Sequence, residues 1–195
     1  RSVRQPRVVP VRAKICGITD ATAMRAAVAA GASHVGLVFY RPSPRYVTPA
    51  AAAALAALVP DSVTKTGLFV DANDAEIDAV LGAMPLDLLQ LHGSESPARV
   101  AALKARTGVP VMKVIKVATQ SDLAAAAPYY DVADWLLFDA KPPKDRTDAL
   151  PGGNAVSFEW HLLKDCQWPL PWMLAGGLNA GNVAQAVRLS GATVL

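Results

Sequence analysis

At 195 residues the chain is long enough to bury a sizeable core, and its 52% hydrophobic and 18% charged content excludes a disordered protein. The net charge is only +3, and the basic residues near the start (Arg1, Arg4, Arg7, Arg12, Lys14) have no aromatic neighbour, so no nucleic-acid partner is expected. No apolar run approaches the ~18 residues that suggest a membrane span, and two cysteines without metal-ligand spacing fit reduced thiols in a cytoplasm.

Residues 1–10 read as a basic extension and 11–195 as one domain. Within that domain, short apolar runs rich in branched side chains alternate with longer, Ala-rich segments. The run VRAKICGI (11–18) leads to a helix with Asp20 as its cap and Gly31 at its stop. HVGLVFY (34–40) comes next. Thr48 then caps a helix with Pro49 at its first position and AAAAALAAL (50–58) as its body, a composition of strong helix formers. TKTGLFV (64–70), a helix near 74–84, LLQLH (88–92) and a helix near 95–107 ending at Gly108 follow. The pattern goes on through VPVMKVIKV (109–117), a helix near 119–128, WLLFDA (135–140) and a helix near 157–163. PWMLAGG (171–177), a helix near 179–189 capped by Asn179, and ATVL (192–195) complete it.

Alternating strands and helices call for a parallel sheet, and eight strands at this spacing favour a (β/α)₈ TIM barrel. A doubly wound open sheet would place G-x-G-x-x-G after the first strand, and CGITDA lacks it.

A barrel carries its chemistry at the C-terminal ends of its strands. Cys16 ends the first strand and shares a face with Lys14, Gln90 and His92 share a face at the end of the fourth, and Asp139 ends the sixth. Singly, each has an ordinary reading: Cys16 as a small buried hydrophobe, His92 as a turn residue, Asp139 as a cap. Gathered at one mouth they point to a pocket, because an unpaired buried polar group costs about 1–3 kcal/mol. The pairs Gly152-Gly153 and Gly176-Gly177 suit close backbone approach to a phosphate, and no P-loop pattern indicates a nucleoside triphosphate. Cys166 lies in a loop and reads as incidental.

KICGIT, GLVFYRPSPRYV (36–47), QLHG (90–93), LLFDA (136–140), GGNAVSFEW (152–160) and LAGGLNAGNV (174–183) resemble, in order and spacing, the phosphoribosylanthranilate isomerase family, over about residues 12–195. The resemblance implies a barrel enzyme of tryptophan biosynthesis that needs no metal or cofactor and acts on a small phosphosugar, in the cytoplasm, as a monomer or homodimer. The implied reaction is an Amadori rearrangement of N-(5-phosphoribosyl)anthranilate to 1-(2-carboxyphenylamino)-1-deoxyribulose 5-phosphate. It further implies Cys16 as general base and Asp139 as general acid, with Arg45 on the anthranilate carboxylate, Gln90 and His92 on the substrate, and Gly152, Gly153, Gly176 and Gly177 on the phosphate. The rivals are another phosphosugar barrel such as indole-glycerol-phosphate synthase, which KICG and SPRY speak against, and a truncated barrel that binds a phosphorylated ligand without turnover. Two departures stand out. Ala155 replaces a family glycine, and Leu195 falls where the family continues with a DVSSGVE-like segment and a final helix. The eighth strand is therefore expected to be incomplete, leaving an open edge on the first.

Overall fold

The structure, a computed structural model, describes residues 10–141 and 157–195. The first nine residues of the expected basic extension, and Gly152, Gly153 and Ala155, lie outside the described residues.

Seven strands form one parallel sheet in sequential order: β1 (Lys14–Cys16), β2 (His34–Val38), β3 (Thr64–Phe69), β4 (Leu88–Leu91), β5 (Val111–Val117), β6 (Trp135–Ala140) and β7 (Trp172–Leu174). Five α-helices are interleaved with them: α1 (Ala21–Ala29), α2 (Pro49–Ala56), α3 (Asp74–Ala83), α4 (Pro97–Thr107) and α5 (Val183–Ser190). Local chemistry sets their starts. Asp20 accepts from Ala23 N at 2.9 Å and Thr48 from Ala51 N at 3.2 Å, as expected of caps. Asn73 and Glu76 form a reciprocal capping box on α3, and Ser96 precedes Pro97 on α4. Gly108 and Gly191 stop their helices with φ of 67° and 75°.

Three sequence expectations differ in detail. Residues 120–129 and 160–163 form 3₁₀ turns instead of α-helices. In the longer one, Pro128 has no N–H for an i→i−4 bond. Asn179 caps a turn, its Oδ1 accepting from Gly181 N at 2.8 Å, and α5 begins only at Val183. The eighth strand is incomplete as expected, but the edge of the first is filled in part. Residues 193–195 hold the eighth position: Arg12 N donates to Thr193 O, Lys14 N to Leu195 O and Leu195 N to Arg12 O. On their other side Leu174 N donates to Val194 O at 3.0 Å, so the sheet is joined from β7 back to β1.

Strand alternation sorts side chains into two layers. Leu88, Met112, Val114, Leu137, Met173 and Val194 pack inside the sheet's curve. Val35, Leu37, Leu89, Leu91, Val111 and their neighbours pack outward against the helices. Inward positions near the C-terminal ends of the strands are where the polar residues stand. A cleft of about 410 Å³ at the opposite end, lined by Arg12, His34, Thr64, Asp87 and Trp135 among others, contains none of the expected site residues. In a TIM barrel that N-terminal face serves stability.

Candidate active site

Cys16 is the last residue of β1 and lies in register with Gly36 on β2. A Cβ added to Gly36 would stand 2.7 Å from Cys16 Sγ, so the glycine provides the room in which the thiol sits. Gly17, at φ 82°, turns the chain away immediately afterwards. Arg45 lies against that turn. The segment after β2 doubles back, with Val47 N donating to Val38 O, and the Arg45 stem and guanidinium lie 2.5–3.2 Å from where a Gly17 Cβ would be. Arg45 forms no salt bridge among the described residues, which leaves its fork of donors for an anion.

Gln90, His92 and Asp139 form a buried chain, only 2%, 5% and 5% exposed. Gln90 Nε2 sits 3.2 Å from His92 Nδ1. With the amide NH₂ as donor, Nδ1 is the acceptor of this contact. His92 Nε2 lies 3.0 Å from Asp139 Oδ2, yet its N–H is not aimed along that line and has no aligned acceptor among the described residues. Gln90 Oε1 is likewise buried and unpartnered. The other Asp139 oxygen, Oδ1, accepts from Ala140 N at 2.8 Å. The carboxylate is thus held by one oxygen and presents the other to the imidazole.

Gly176 and Gly177 follow β7 with φ of 93° and 64°. A Cβ on Gly176 would come within 2.6 Å of Ala140 N and 2.9 Å of Asp139 Oδ1, so only glycine lets this backbone lie against the carboxylate. Asn182 Nδ2 donates to Gly177 O at 2.8 Å and its Oδ1 accepts from Asn179 N at 2.8 Å, knitting the loop together. No acceptor for the amides of Gly176 and Gly177 occurs among the described residues. Arranged so, two buried polar atoms, a half-anchored carboxylate, a thiol, a guanidinium and a glycine-lined backbone are suited to holding an anionic ligand and moving protons on it.

The family model described as N-(5'-phosphoribosyl)anthranilate (PRA) isomerase matches residues 13–195. The chain belongs to the phosphoribosylanthranilate isomerase family. The N-(5'-phosphoribosyl)anthranilate isomerase of Paramagnetospirillum magneticum is 59% identical over 187 residues, covering 96% of this chain and 86% of the relative. That of Rhodospirillum centenum is 57% identical, covering 96% and 87%. Among solved structures, phosphoribosylanthranilate isomerase of Thermotoga maritima superposes with a TM-score of 0.81 at 31% identity, covering 94% of this chain and 85% of that one. A phosphoribosylanthranilate isomerase solved with reduced 1-(o-carboxyphenylamino)-1-deoxyribulose 5-phosphate superposes with a TM-score of 0.78 at 29% identity, covering 94% and 84%.

On this member of the isomerase family, strand alternation puts Cys16, Gln90, His92 and Asp139 on the inward face, and the fold brings Gln90, His92 and Asp139 into contact in that order. It misses three charged residues. Lys116 is inward and in register with Asp139 on β6. Burial first, and then the Lys113 ammonium, holds its pKa below the usual lysine value, with Asp139, Asp71 and Glu95 pulling the other way. Lys113 faces outward and is paired with Glu95 at 2.6 Å. A signal existed in VPVMKVIKV: lysines three apart on a buried strand point to opposite faces, and each needs a partner. Among the described residues no three His, Cys, Asp or Glu side chains gather as a metal site, and no helix is long and apolar enough to cross a membrane.

Proposed function

We propose that the chain isomerises N-(5-phosphoribosyl)anthranilate to 1-(2-carboxyphenylamino)-1-deoxyribulose 5-phosphate in tryptophan biosynthesis, with Asp139 as general acid and Cys16 as general base. The observation that carries the reading is the buried Gln90–His92–Asp139 chain with its two unpartnered atoms, Gln90 Oε1 and His92 Nε2, at the barrel end where Cys16 and Arg45 also stand. Buried polar atoms of this kind are stabilised when a ligand supplies their bonds.

Asp139 gives its proton to the furanose ring oxygen as the C1–O bond breaks, and the anilino nitrogen lone pair forms the C1=N bond. Cys16 then takes the proton from C2. The C2–H electrons become C1=C2 and the C1=N electrons return to nitrogen, giving an enolamine. Transfer of a proton to C1 and loss of the C2 hydroxyl proton yield the ketone, so the reaction consumes no co-reactant. His92 lies against the acid, its Nε2 3.0 Å from Asp139 Oδ2. Arg45 holds the anthranilate carboxylate through a charge-assisted pair. The amides of Gly176 and Gly177, with Gly152 and Gly153, hold the phosphate. Reaction on a small phosphosugar fits a cytoplasmic enzyme, monomeric or homodimeric. A Thermotoga maritima relative is described as dimeric, with monomers generated from it.

Turnover of phosphoribosylanthranilate, followed by loss of anthranilate fluorescence, tests the assignment. Asp139→Asn and Cys16→Ser are each expected to lower kcat by about 10²–10⁴-fold, the range of a lost acid or base, with unchanged melting. Wild-type rates in both folded variants would overturn it.

A further inference from the structure

Resting on this reading of the site, we propose that the buried Lys113–Glu95 pair is a positioning device that fixes the backbone on both sides of His92, and so sets the imidazole against Asp139. Lys113 and Glu95 are only 3% and 5% exposed, and Lys113 Nζ meets Glu95 Oε2 at 2.6 Å. Two charges withdrawn from water give little net stability, and well-packed apolar residues of similar volume commonly serve as well. Their hydrogen bonds point to a different role.

An ammonium has three donors. Besides Glu95, Lys113 Nζ donates to Gly93 O at 2.8 Å and approaches Leu91 O at 3.5 Å. Leu91 and Gly93 are the two neighbours of His92. From the other side, Glu95 Oε1 accepts from Gly93 N at 3.1 Å and from Asp71 N at 2.9 Å. His92 N itself donates to Phe69 O at 2.8 Å. Both amides flanking His92, its own and that of Gly93, are therefore tied down, Lys113 approaches the carbonyl before it and takes the Gly93 carbonyl one peptide beyond, and Gln90 meets the ring at Nδ1.

The device is itself braced. Asp71, at φ 49°, accepts from Ser94 N through Oδ1 at 2.7 Å, and a Cβ on Gly93 would come within 2.5 Å of the Asp71 carboxylate. Tyr129 donates its hydroxyl to Glu95 O at 2.8 Å, and its ring lies 5.6 Å from Lys113 Nζ. Burial alone would push the Glu95 carboxyl up, but the Lys113 charge and hydrogen bond, with the backbone amides, outweigh it and hold it below the usual range. Glu95 thus stays ionised and the bracket closed across the working pH range.

The test is a kinetic cycle joined to a spectroscopic one. In Lys113→Met/Glu95→Gln, kcat is expected to fall about 10–100-fold with KM within about 2-fold, as for misplacement of a group acting on the reacting centre. In a His92→Gln background the same pair of changes is expected to alter kcat less than about 2-fold, because groups acting as one unit are not additive. The His92 ring ¹⁵N resonances of the substrate-free protein are expected to shift in the pair variant. Should that variant not fold, Lys113→Arg, which keeps the charge but replaces the compact three-donor ammonium by a larger planar fork, takes its place in both measurements. Multiplicative losses in the cycle, or unmoved His92 resonances, would overturn the inference. A wild-type protein without turnover would overturn the catalytic reading instead, and the resonances would still decide whether the pair positions His92.

Discussion

Adding one methyl group at Gly36 separates chemistry from packing. The Cβ of Gly36→Ala would sit 2.7 Å from Cys16 Sγ, 3.1 Å from its Cα and 3.2 Å from its Cβ, where ordinary contact begins at 3.4 Å. Gly36 is not at positive φ, so no backbone strain confuses the result. The sulfur must retreat by roughly 0.7 Å, and overpacking of this kind costs about 1–3 kcal/mol. For a chain of this size that lowers Tm by about 2–12 °C. A misplacement approaching 1 Å costs up to about 10²-fold in rate, so kcat should fall about 10–100-fold. Gly67→Ala is the matched control. Its Cβ would meet Leu86 Cδ1 at 2.5 Å and Phe69 Cε2 at 3.0 Å in the outer layer, away from the site. It should show a comparable Tm loss with kcat within about 2-fold of wild type. Fluorescence-followed turnover and thermal melts of the two variants suffice. A folded Gly36→Ala protein with wild-type kcat would refute the placement of the Cys16 thiol at the reacting centre.

Arg45→Ala should lower kcat/KM by about 10–150-fold, mostly through KM, the equivalent of a hydrogen-bonded charge at about 1.5–3 kcal/mol; initial rates against substrate concentration measure it. His34 gives a pH dependence unrelated to catalysis. Burial, then the charges of Arg12 and Lys14, lower its pKa from 6.5 to about 4. The unfolded chain takes up this proton below pH 6.5 while the folded one holds out to about 4, so stability falls as pH drops across that window. Urea midpoints of His34→Asn should fall less steeply than wild type between those pH values, and identical slopes would refute it.

Much of the architecture is readable from residues alone, because branched apolar runs and Ala-rich spacers carry different periods. The boundaries are less so. VRAKICGI is reduced to Lys14–Cys16 and PWMLAGG to Trp172–Leu174, and at their C-terminal ends Gly17, Gly176 and Gly177 at positive φ leave extended backbone. At the candidate site, strand-end position plus alternation marks Cys16, Gln90, His92 and Asp139 as polar strand-end residues, and the roles proposed for them rest on the family resemblance. Arg45 is legible only through family resemblance, because its contact with Gly17 depends on a doubled-back loop that no period encodes. The Lys113–Glu95 pair was hidden for a related reason. Its partners come from three separate segments, and a lysine in an apolar run announces a need without naming what meets it.

The bridge that joins Arg12 to Val194 has a consequence for how the chain comes into being. It pairs residues 182 positions apart, so it belongs to the slowest class of contacts to form. On a ribosome adding about 5–20 residues per second, β1 would wait about 10–40 s for its last neighbour. During that time the nascent sheet carries an unpaired edge and an unfinished interior, and sequestration by a chaperone would protect it most in those seconds.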